Sequence, residues 1–86
     1  TMKKITLKID GMMCGMCESH VNDCIRRSFN VKKVKSSHIK NETVIITENE
    51  IDEEDLKNAI EKTGYKVMSV HTEDYKKKGL FGLFGG

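Results

Sequence analysis

Ile5-Thr6-Leu7-Lys8-Ile9-Asp10-Gly11-Met12-Met13-Cys14-Gly15-Met16-Cys17 contains the change of periodicity from which the architecture can be read. Ile5, Leu7 and Ile9 alternate with Thr6, Lys8 and Asp10, the period-2 pattern of a strand with one buried face. Gly11 breaks the alternation, and Met12 to Met16 form a loop that carries the first cysteine. From Cys17 the period lengthens. Val21, Cys24, Ile25 and Phe29 fall on one helical stripe, and Glu18, Asn22, Asp23 and Arg26 lie on the other face. Asn30 reads as a left-handed stop for this helix.

Working outward, Val31 and Val34 open a second extended stretch, whose alternation Ser36, Ser37 and His38 blur. Lys40-Asn41-Glu42 reads as a hairpin turn, and the β-branched run Thr43-Val44-Ile45-Ile46-Thr47 as the strand after it. Asp52 is an N-cap, with Glu53, Glu54 and Asp55 in a first turn that favours negative charge. Ile51 and Leu56 are spaced as a hydrophobic staple. Leu56, Ala59 and Ile60 supply the buried stripe, and Gly64 is placed to end the helix. Tyr65 to about His71 forms a short last strand. The order β-α-β-β-α-β predicts an α+β, ferredoxin-like sandwich: four antiparallel strands with both helices on one face.

Composition narrows the function. With 86 residues, one domain is expected. Residues 1–73 make that domain, and 74–86 form a basic and hydrophobic tail expected to be disordered. Its Lys76-Lys77-Lys78 and Leu80, Phe81, Leu83 and Phe84 make at best a weak contact with an anionic membrane surface. Fifteen basic and 13 acidic residues leave a net charge of +2, too balanced for a dedicated nucleic-acid binder. The few aromatics also argue against RNA recognition on the sheet. Three cysteines do not make a secreted disulfide framework. Met2-Lys3-Lys4 leads straight into the alternation rather than into an apolar leader. No apolar run approaches the ~20 residues of a membrane helix. The expected compartment is the reducing cytoplasm.

Chemistry is therefore expected at Cys14 and Cys17. A CxxC pair suits a redox dithiol, half of a zinc site, or a two-coordinate soft-metal site. Its place decides among them. Cys17 lies near a helix N-terminus, where unpaired N–H groups and the macrodipole favour a thiolate. Thiolates select soft ions, Cu(I) above all. Gly15 lets the loop bend so that both sulfurs face one ion.

These residues resemble the heavy-metal-associated domains of copper chaperones and of the N-termini of metal-transporting P-type ATPases. The resemblance spans about residues 3 to 71. It rests on G-M-x-C-x-x-C at Gly11 to Cys17, the apolar positions Val21, Cys24, Val31 and Val34, and Gly64-Tyr65 before the last strand. It implies Cu(I) held by Cys14 and Cys17 and handed to a partner's CxxC by ligand exchange, the partner being a P-type ATPase or another CxxC acceptor. It also implies that Met12 plugs the core and that Tyr65 packs near the metal loop. Ser36 departs from it, standing where the family has an apolar strand residue.

Met13 precedes Cys14 where zinc and cadmium relatives carry an aspartate, so the preceding position leans toward Cu(I) over Zn(II). Hg(II) would bind the same pair. Met13 and Met16 are expected to flank the site as an adaptable apolar surface rather than to ligate. His20 reads as a solvated neighbour of the site. Helix geometry argues against a four-ligand zinc site from Cys14, Cys17, His20 and Cys24. Cys17 and Cys24 would lie ~10 Å apart along the axis, whereas two sulfurs on one zinc lie within ~4 Å. Cys24 is therefore expected in the core. The leading reading is a non-enzymatic metal carrier, monomeric without metal. The alternative, a thiol–disulfide oxidoreductase using the same pair, lacks the cis-proline of thioredoxin-like proteins, since the chain contains no proline.

Overall fold

The computed structural model describes residues 2–75. The elements are β1 (Met2–Asp10), α1 (Gly15–Ser28), β2 (Lys33–Ser37), β3 (Glu42–Thr47), α2 (Glu53–Glu61) and β4 (Lys66–Tyr75). The strands form one antiparallel sheet in the order β2-β3-β1-β4. This is the expected βαββαβ architecture.

Period-2 alternation sends Ile5, Leu7 and Ile9 of β1 to the helix-covered face, where each is almost fully enclosed. In register beside Ile5 stand Ile45 and then Val34. Val21 and Ile25 of α1 and Leu56 and Ile60 of α2 close over this face. Asp52 caps α2 by accepting from Glu54 N–H at 2.8 Å, and Ile51 packs on the core as the staple requires.

Ser36 does not blur β2. It occupies an inward position directly opposite Thr43, and both are buried. Ser36 donates to Asn22 Oδ1 of α1 at 2.6 Å and lies 2.7 Å from the Thr43 hydroxyl. A serine has one proton to give, so Thr43 donates to Ser36. The position that departs from the family's apolar pattern is thus filled by a satisfied polar triad, which avoids the penalty of an unpaired buried group.

Three boundaries differ from the sequence reading. α1 starts at Gly15 with Cys14 as its N-cap, because the Cys14 carbonyl already accepts from Cys17 N–H (3.0 Å) and Glu18 N–H (3.2 Å). Asn30 is not a left-handed stop. The helix ends at Phe29 in extended conformation, and the left-handed asparagine is Asn41 (φ 53) in the β2–β3 turn. β4 runs four residues beyond His71, because it pairs along the whole of β1, from Asp10↔Lys66 to Met2↔Tyr75. An exposed ion pair, Lys3 to Asp74 at 2.7 Å, lies on this stretch. The strand therefore crosses the boundary drawn at residue 74. The rest of the tail, with its proposed membrane contact, lies outside the described residues.

Candidate metal centre

Gly11 turns the chain out of β1 with φ +108, a conformation that only glycine adopts without strain. A Cβ there would come within 3.2 Å of Tyr65 Cδ1, so the ring lies directly against the backbone of the loop. Met12 points inward and is buried, anchoring the loop to the core. Met13 and Met16, 77% and 79% exposed, face outward on either side of Cys14. Gly11→Ala is expected to lower stability by about 1–3 kcal/mol through backbone strain and to push the Tyr65 ring aside. A thermal melt and the ultraviolet titration of the Cys17 thiolate, run side by side, would report both effects.

The two sulfurs are placed differently. Cys14, the N-cap, is exposed and makes no side-chain capping bond, so its thiol is not committed to the helix. Cys17, in the first turn of α1, is half-buried and packs against the core. Its thiol is lowered to about 7, foremost because the Tyr65 hydroxyl donates to the thiolate, with backbone N–H groups of Met13 and Cys14 adding to the effect. The same contact, with burial and the nearby thiolates, pushes Tyr65 up to about 12. The Cys17 thiol therefore ionises more readily than an ordinary cysteine.

Of the residues expected around the site, Met12, Met13, Met16 and Tyr65 border the cysteine loop. His20 is exposed and lines a groove between α1 and α2. Among the described residues no three His, Cys, Asp or Glu side chains gather where they could hold a metal ion, so His20 does not complete a cluster with the pair. Cys24 is half-buried rather than in the innermost core. Its thiol donates to the Ala59 carbonyl across the helix seam at 3.3 Å.

One contact beside the site has no local signal in the sequence. Glu18, next to Cys17, accepts from the His38 backbone N–H at 2.7 Å and approaches its Nδ1 at 2.6 Å. These bonds hold the Glu18 carboxyl below its ordinary value. They also tie the first turn of α1 to the β2–β3 turn, which only the folded topology brings alongside. Two neighbouring thiols, one easily ionised and, among the described residues, joined by no carboxylate, suit a soft ion in low coordination.

No protein-family model and no curated protein sequence matches the chain. Solved structures do. Oxidized MerP from Ralstonia metallidurans CH34 is 25% identical with a TM-score of 0.70, over 81% of this chain and 97% of that one. The copper binding domain of HMA7, a P-type ATPase, is 25% identical with a TM-score of 0.68, over 84% and 95%. The N-terminal domain of ZntA in its Zn(II) form is 23% identical with a TM-score of 0.69, over 87% and 97%. The solved structures that the chain resembles are heavy-metal-associated domains, and it shares their fold, with its cysteine pair at the junction of β1 and α1.

Proposed function

We propose that the chain is a carrier of Cu(I), which it holds between the Cys14 and Cys17 thiolates and passes to a partner's thiolate pair by ligand exchange. The observation that carries this reading is the pair itself: one exposed sulfur at the N-cap of α1 and one, in its first turn, lowered to about 7. Two-coordination leaves the ion open to a third thiolate, so it can leave without first becoming free. Only metal–sulfur bonds form and break in this exchange, so the protein is not an enzyme. The likeness to a copper binding domain of a P-type ATPase supports a transporter as acceptor. The likeness to a Zn(II)-loaded domain keeps a divalent ion as the competing cargo. The thioether of Met13, in place of a carboxylate beside Cys14, favours Cu(I).

The test is an anaerobic titration of reduced protein with Cu(I) against a chromophoric chelator. One tightly held equivalent is expected. It should be lost to the chelator in Cys14→Ser/Cys17→Ser and kept in Cys24→Ser. If the chelator keeps the copper while the pair reduces a model disulfide, the protein is a thiol–disulfide oxidoreductase instead. If Zn(II) displaces Cu(I) from the pair, the assignment of the cargo is wrong.

A further inference from the structure

α1 and α2 lie side by side, and the seam between them opens into a groove of about 340 Å3. His20 and Cys24 both line it, with Arg27 from the same helix and Ala59 and Lys62 from the α2 side. Cys14 and Cys17 are not part of its lining. His20 and Cys24 stand four residues apart on α1, and side chains at that spacing are neighbours on a helix, their Cβ atoms ~5–6 Å apart. The Cys24 thiol donates to the Ala59 carbonyl at 3.3 Å, so its sulfur is aimed across the seam rather than into the sheet core. An imidazole nitrogen and a thiolate sulfur on one helical face form a two-point ligand set for soft ions.

We propose that His20 and Cys24 form a second, weaker site for a soft monovalent ion, Cu(I) or Ag(I), in the groove between α1 and α2. The charge around it selects the class. Arg27 and Lys62 line the groove, and among the described residues no aspartate or glutamate does. A thiolate with a monovalent ion is neutral as a unit and adds no charge between those cations. A divalent ion would add one. On binding, the Sγ–H bond of Cys24 breaks and its proton goes to solvent. Bonds from the ion to Sγ and to an imidazole nitrogen form, and no oxidation state changes. The hydrogen bond to Ala59 is lost in the process, which makes this site weaker than the Cys14–Cys17 pair and invisible against a strong chelator.

The inference does not depend on the carrier reading, because its test removes the pair. Cys14→Ser/Cys17→Ser protein is titrated with Ag(I), without chelator, and followed by native mass spectrometry and by NMR of the histidine rings. One retained ion and a shift of the His20 ring signals are expected. Adding Cys24→Ala should abolish retention. Adding His20→Gln, at an exposed position that leaves the fold intact by circular dichroism, should weaken binding by about tenfold or more. Retention indifferent to His20→Gln would show a bare thiol adduct and overturn the proposal, as would no retained silver.

Discussion

Leu56→Ala is expected to lower the stability of the fold by about 3 kcal/mol, the cost of a buried leucine truncated where the surroundings close only in part. Leu56 is fully enclosed in the core cluster and completes the staple with Ile51 at the start of α2. For a domain of this size the total is roughly 4–11 kcal/mol, so this one change removes a large share of it. Urea unfolding followed by circular dichroism should show the midpoint falling with an unchanged slope. Met13→Ala is the control: at 77% exposure it should change stability by no more than about 0.5 kcal/mol. Equal effects of the two would mean that α2 is not held by this core.

Tyr65→Phe should raise the Cys17 thiol above about 7, because it removes the largest cause of the lowering while keeping the ring against Gly11. Metal displaces the thiol proton, so the consequence for affinity depends on pH. At pH 7 the thiolate fraction would fall, and with it the apparent affinity of the pair for a soft metal ion. Above pH 9 the two proteins should bind alike. The sign for stability follows from the same shift. Cys17 ionises more easily folded than unfolded, so its contribution is fully present above the ordinary thiol value of 9.0 and is lost as pH falls through about 7. Thiolate absorbance against pH measures the shift directly. An unmoved titration would mean that the helix terminus and backbone donors, rather than Tyr65, lower the thiol.

The element order was legible because each element carries its own local signature. β1 shows strict alternation, and α2 has a cap, an acidic first turn and a staple within a few residues. The junction of β1 and α1, with its two cysteines, needed only the glycine and the change of period. What escaped was set by contacts distant in sequence. Ser36 looked like a fault in β2 because its partners, Thr43 and Asn22, are on a different strand and on a helix. The end of β4 was missed because its last residues are polar. They are extended by pairing with β1 rather than by any pattern of their own. His38 showed no partner because Glu18 lies twenty positions earlier and reaches it only once α1 crosses the sheet. Tyr65 was placed near the metal loop by resemblance alone. The structure adds that the ring lies against the Gly11 backbone and that its hydroxyl is the foremost cause of the lowered Cys17 thiol.

The pairing of Met2 with Tyr75 has a practical consequence. Both leave the sheet side by side at one pole, while β1 carries the chain to the cysteine loop at the other, roughly 27 Å away at the rise of an extended strand. A tether, label or second folded module joined at either side of this pole would swing about an anchor remote from the sulfurs. The domain can therefore be immobilised on a surface, or strung in series with copies of itself, with each thiol pair clear of the attachment.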